Sequence, residues 1–239
     1  MNERNAIRIK AFANSVYLAT RNKYYDDFTT EDGVIYLAQI VDWINQYLDE
    51  LEMETDEDGN PIDWDFARRN DVIIGRISAT NQRFSLNDGI LRLVVDENRP
   101  LVIMQDGTII SHWNVVPANI ITRTNTTDNL VSVVNGVALF SRPLNETELG
   151  GNVVADVIDI LPRVTDRDTT ILDTVKPKQL LILGVAKNAT LPDITQGGIS
   201  PSLTQKYADL LSGAKAKNSV SSISGSITRE DFSNIGGVY

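Results

Sequence analysis

Two dipeptides constrain the middle of this chain more than any other feature: Asp106-Gly107 and Asn135-Gly136. The first separates Leu101-Val102-Ile103-Met104 from Thr108-Ile109-Ile110. The second separates Leu130-Val131-Ser132-Val133-Val134 from Val137-Ala138-Leu139-Phe140. A two-residue hairpin turn needs positive φ angles, which Asn, Asp and Gly adopt at low cost, so each dipeptide commits its flanks to antiparallel pairing. Further strand candidates lie at residues 71–77, 83–86, 90–95 and 113–121. Phe84 and Leu86, then Leu91, Leu93 and Val95, alternate at a period of two, which buries one face. About six short strands at regular spacing predict an antiparallel sandwich or small barrel.

Helical patterns flank this block. Ile9, Phe12, Ala13 and Val16 share one face of a helix over residues 5–20. Thr29-Thr30-Glu31-Asp32 supplies cap residues and first-turn acids for a second helix. Its expected core stripe is Val34, Leu37, Ala38, Val41, Ile44, Leu48 and Leu51. After Leu149-Gly150-Gly151 the residues Val153, Val154, Val157, Ile158 and Leu161 fit a short helix closed by Pro162. Residues 177–187 fit a buried helix opened by Pro177, with a buried strand as the other reading. Ser200-Pro201 starts a last helix to about residue 217, with Leu203, Tyr207, Leu210 and Leu211 on one face. Residues 218–226 are rich in Ser and Gly and are expected to be flexible.

The fold class expected is therefore α+β: a small helical bundle, an inserted antiparallel β-sandwich or barrel, and an extended C-terminal arm. The expected boundaries are 1–66 for the first helices and an acidic loop, 67–148 for the insertion, 149–217 for the helices completing the bundle, and 218–239 for the arm. A chain of 239 residues buries roughly 70% of its unfolded surface and needs no disulfide or metal to hold a core. It has no cysteine, which excludes a disulfide framework and thiolate chemistry. No apolar run approaches the ~20 residues that cross a bilayer, and the first residues lack the apolar core of a signal peptide. The formal net charge of −10 opposes a protein that grips nucleic acid, since phosphate binding needs clustered Lys and Arg. It is compatible with an acidic wall that lets DNA slide past.

Candidate chemistry is sparse. Glu54, Asp56, Asp58, Gly59 and Asp65 fall near the spacing of a calcium loop, which sets carboxylates at alternating positions around one cation. Glu54 stands where Asp is expected, Asp65 where a bidentate Glu is expected, and Pro61 where an apolar residue is expected. A solvated acidic turn is the simpler reading. His112 is the single histidine and has no nucleophile motif beside it, so a structural or interface role is expected. Gly150-Gly151 and Gly197-Gly198 lack phosphate-loop spacing. No catalytic residue, metal ligand or cofactor is expected. The tail carries Phe232, Ile235, Val238 and Tyr239 as candidate anchors that order on a partner.

The order of elements resembles a tailed-bacteriophage head-to-tail connector of the adaptor class. The resemblance rests on the amphipathic helix around Ile40-Val41-Asp42-Trp43-Ile44, on Asn98-Arg99-Pro100-Leu101-Val102-Ile103, and on Gln205-Lys206-Tyr207-Ala208-Asp209-Leu210-Leu211. It implies a non-enzymatic virion protein in the neck or tail, assembled in the host cytoplasm. It further implies a homo-oligomeric ring of about twelve copies, portal and tail or neck proteins as partners, DNA passing without specific binding, and no membrane. The chain departs from that class by its substantial β-sandwich and a long linker before its last helices, which leaves another neck or tail-ring role open. A carbohydrate- or receptor-binding β-sandwich module of a phage tail, and a hydrolase using two carboxylates, are the competing readings.

Overall fold

A computed structural model describes residues 3–80, 83–95, 98–116, 128–134, 136–165, 167–190 and 201–223. The helices are α1 (Glu3–Arg21), α2 (Glu31–Glu52), α3 (Ile171–Thr174), α4 (Lys178–Thr190) and α5 (Pro201–Ile223). The strands are β1 (Arg68–Arg76), β2 (Arg83–Ser85), β3 (Ile90–Leu93), β4 (Leu101–Gln105), β5 (Thr108–Val115), β6 (Leu130–Val134), β7 (Val137–Phe140) and β8 (Asn152–Asp159). The chain is a mixed α/β protein in two compact units. One runs up to Ile62 and resumes from Leu161 to Lys217. The other is built on Asp63–Ile160, between the two halves of the first in sequence.

In the helical unit α1 buries Ile9, Phe12, Ala13 and Val16, the stripe its spacing predicts. Thr30 caps α2: its side chain accepts the Gly33 N–H at 3.1 Å, satisfying one of the amides that a helix start leaves open. The face of α2 differs from expectation. Gly33, Ile40, Ile44, Tyr47, Leu48 and Leu51 are buried, whereas Val34 is 58% exposed. The stripe is rotated toward the large side chains Ile40 and Tyr47, which bury more surface than Ala38 or Val41 could. Both α1 and α2 pack on α4, whose Leu180, Leu181, Val185 and Ala186 are all buried. A helix covered on more than one side is apolar around most of its surface, which is why its periodicity is weak. Helix α5 extends to Ile223 rather than ending near residue 217, because a helix once nucleated adds residues at little cost.

In the β unit the strands form one curled mixed sheet in the order β1-β8-β4-β5-β6-β7-β2, with β3 also pairing β8. Every described pairing is antiparallel except β5 with β6. The β4–β5 turn is the one its dipeptide predicts, with Asp106 at φ 50° and Gly107 at φ 79°. At the second turn Gly136 has φ 73° and β6 pairs with β7 as expected; Asn135 lies outside the described residues.

The main correction concerns residues 153–161. Asn152–Asp159 form strand β8, not a short helix, and β8 pairs with three strands, β1, β3 and β4. Val153, Val157 and Ile158 are β-branched and stiff at χ1, which favours the pleated conformation. Val153, Ala155, Asp156, Val157 and Ile158 are buried, so both faces are covered and the apolar run is nearly continuous. A strand buried on both faces loses the alternation that would betray it. The core beneath holds Ile74, Leu101, Ile103, Trp113, Val131, Phe140, Val153 and Val157, among others.

Candidate interaction surface

Among the described residues, the densest chemical feature is at the corner between α1 and α2. Helix α1 ends where Asn22 turns to φ 54° and its N–H bonds the Leu18 carbonyl at 3.0 Å. The connecting loop is pinned back on α1 by the Tyr25 N–H, which donates to Asn14 Oδ1 at 3.1 Å. Its far end is closed by Asp27, whose Oδ1 accepts from the Thr29 N–H at 2.8 Å and the Thr29 hydroxyl at 2.7 Å. Gly33 lets this loop lie against the first turn of α2: a Cβ there would stand 2.5 Å from the Asp27 carbonyl oxygen.

That geometry gathers five rings. Tyr25 stacks on Tyr36 at 5.0 Å with planes 3° apart, and on Phe28 at 4.8 Å. Tyr17 meets Tyr25 and Tyr36 edge-on at 5.1 and 5.6 Å, and Trp43 meets Tyr36 edge-on at 6.3 Å. All five are half-buried. The same helix ends and loop carry exposed Leu18, Tyr24, Val34 and Ile35, with Tyr24 at 65%. Burial, then the charge of Asp32, the Tyr17 hydroxyl, Asp26 and Asp27, push the Tyr25 phenol above its ordinary range. Burial, with the hydroxyls of Tyr17 and Tyr25, does the same to Tyr36 against a smaller opposing effect of Arg21. The corner is thus a π-rich, partly apolar surface in a negative field. Sequence reasoning did not find it. Its signal was density: seven of the chain's sixteen aromatic residues fall within residues 17–47.

The residues singled out from sequence fare differently. The acidic loop closes on itself, with Thr55 bridged to Pro61. Asp56 Oδ1 accepts from the Asp58 and Asn60 amides at 3.0 and 2.8 Å, and Oδ2 from the Asn60 side chain at 3.2 Å. Desolvation is the largest single influence on Asp56 and opposes its ionisation, but the donors of Asn60, Asp58 and Gly59 together outweigh it and hold its carboxyl below the usual range. Glu54 pairs with Lys215. Among the described residues no group of three His, Asp or Glu side chains is placed to hold a metal. His112 is exposed on β5, and its carbonyl accepts from the Asn129 side chain at 3.1 Å. Beside it Trp113 is fully buried, its indole N–H on Ser111 Oγ at 3.0 Å, its ring edge-on to Phe140 and under the Arg142 guanidinium. Trp64 is buried too, stacked on Phe66. Neither tryptophan presents a face for a sugar. Phe232, Ile235, Val238 and Tyr239 lie outside the described residues.

Two further polar clusters are structural in geometry. Glu148, fully buried, takes both arms of the Arg142 guanidinium at 3.1 Å and the Asn145 N–H at 2.8 Å. Asp156 is shared by Arg68 at 3.0 Å, Arg99 at 3.1 Å and the Asp71 N–H at 2.9 Å, which holds Asp71 at φ 54° in an edge bulge of β1. None of the described helices is long and apolar enough to cross a membrane. The chain matches no protein-family model, and no curated protein is significantly similar to it.

Proposed function

We propose that the chain is a non-enzymatic virion structural protein, a head-to-tail adaptor that assembles as a ring beneath a phage portal and lines a DNA passage. The observation that carries this reading is the interrupted helical unit: α1 and α2 fold with residues 161–217, and the whole β unit is inserted between them. That is the order of elements on which the resemblance to connectors rests. In the finer form of the reading, the helices are a bundle, the insertion is a sandwich or barrel, and the residues after Ile223, not from 218 as expected, are an arm docked on the portal through Phe232, Ile235, Val238 and Tyr239. The net charge of −10 suits a channel wall that repels phosphate and does not hold it.

The test uses the full chain, tagged, recovered from its native source, with the bound proteins identified by mass spectrometry and the oligomer counted by native mass spectrometry. A closed ring carrying a portal-like or tail protein is expected. Deleting residues 232–239 is expected to spare folding and remove portal binding. A monomer that holds glycans or nothing overturns the reading, and full-affinity binding by the truncated chain overturns the arm.

A further inference from the structure

We propose that the α1–α2 corner docks a basic segment of another protein, laying an arginine or lysine on the Tyr17–Tyr25–Tyr36 cluster beside an apolar side chain seated on Val34 and Ile35. This stands apart from the adaptor reading and holds for a ring subunit or for any other role.

Three observations converge on that occupant. First, the rings are half-exposed although a protein of this size has core enough to bury them, and Val34 and Ile35 stay 58% and 50% exposed on the adjoining turn of α2. Aromatic side chains clustered at a surface are the residues that anchor protein interfaces. Second, the loop and first turn of α2 bring Asp26, Asp27, Glu31 and Asp32 to the same place, all exposed, and three of them act on the Tyr25 hydroxyl. Lys10 acts on Asp27, Arg21 on Tyr36 and Lys23 on Tyr17, three cations against these four acids, which leaves the acids in slight excess. An acidic partner would be repelled, and a neutral one would leave the acids uncompensated. Third, the chain already places a cation on this cluster, with Lys23 Nζ 6.0 Å from the centre of the Tyr17 ring. A cation over a tyrosine face is held by the ring quadrupole, and nearby carboxylates add to that attraction. A partner's guanidinium makes the same contact with more area, because its plane stacks on a ring.

The test measures binding of a fluorescein-labelled peptide alternating Arg with Leu to the full chain by fluorescence anisotropy. A Glu-for-Arg version and a Gly-for-Leu version serve as comparisons. Binding is expected for the Arg/Leu peptide, weaker for the Gly version and absent for the Glu version. The pair Asp26→Asn/Asp32→Asn is expected to weaken binding by about tenfold, and Tyr25→Leu, which keeps bulk and loses the π face, by a similar factor. The pair Asp106→Asn/Asp128→Asn removes the same charge from the β unit and is expected to change nothing. Equal loss from both Asp pairs means that the peptide reads only net charge, and overturns the proposal. So does undiminished binding to Tyr25→Leu. Sedimentation of the unliganded chain completes the test: self-association abolished by Val34→Ser/Ile35→Ser would make a second copy the occupant and overturn it too.

Discussion

The ring of Phe84, on edge strand β2, lies directly on the backbone of Gly75, on edge strand β1, so that a Cβ at position 75 would overlap the ring at Cζ. The two ends of the curled sheet are therefore brought together by one aromatic side chain and the absence of another. Gly75 also has φ 155° and sits at a register shift against β8, where a strand bends. Gly75→Ala is expected to destabilise the chain by about 2 kcal/mol, the usual cost of forcing atoms into an occupied space. Phe84→Ala costs packing of its own but removes the overlap. The double variant should then be more stable than the sum of the two losses predicts, a coupling that urea unfolding of all four proteins measures. Additive losses would show that the ring and the glycine are independent.

Tyr47 has the same relationship with Gly184 in the helical unit. Its ring lies on the α4 backbone where any Cβ would stand, and its hydroxyl is fully buried, facing the Tyr207 hydroxyl without a hydrogen bond of good geometry. The Tyr207 ring is edge-on at 6.1 Å. A buried hydroxyl without a well-formed hydrogen bond has lost water and gained little in exchange. Tyr47→Phe is accordingly expected to be neutral or to stabilise by up to about 1 kcal/mol, whereas Gly184→Ala is expected to cost about 2 kcal/mol or more. Thermal unfolding of both variants decides it. A clear loss in Tyr47→Phe would mean that the hydroxyl is satisfied in solution.

Much of the helical unit was legible because its signals are local. The Ile9-Phe12-Ala13-Val16 stripe and the Thr30 cap each depend on residues within one or two turns. The Asp106-Gly107 turn was legible for the same reason. Strand β8 was not, because its environment is made by β1, β3 and β4, up to 90 residues away, as Arg68 is from Ile158, and no local pattern encodes burial on both faces. The α1–α2 corner was missed for a third reason. Tyr17, Tyr25, Phe28 and Tyr36 do not share one periodicity; a loop, set by Asn14, Asp27 and Gly33, brings them together.

The acidic loop yields a prediction opposite to its composition. Asp56 already accepts three hydrogen bonds from its own turn, and Glu54 is engaged by Lys215. Calcium would have to break these contacts to be ligated. Millimolar calcium or excess chelator is expected to leave the melting temperature of the full chain unchanged. Asp56→Ala, by contrast, should lower it slightly, by the loss of a turn-closing side chain worth about 1 kcal/mol. A rise in melting temperature with calcium would reinstate the cation site.

Glu148 is expected to contribute to the response to acid. Burial raises its pKa, but the Arg142 side chain and the Asn145 amide outweigh burial and hold the folded value below the ordinary one. A carboxyl whose pKa is depressed on folding binds fewer protons in the native state than in the unfolded state. Its contribution is thus fully present above the unfolded pKa of about 4.3 and is lost as pH falls through the folded value. The loss can be separated from that of surface acids by comparing variants. In Glu148→Gln the amide cannot ionise, so stability should fall at neutral pH and the difference from the parent should shrink as pH drops below about 4. Arg142→Ala should be worse at neutral pH, by about 3 kcal/mol, because it leaves a charge buried without its partner and strips the guanidinium from the face of Trp113. Its deficit too should narrow in acid, where protonation removes the orphaned charge. Urea midpoints measured from pH 7 down to pH 3 test both, and a gap to the parent that stays constant across that range would show that Glu148 is not the group being titrated.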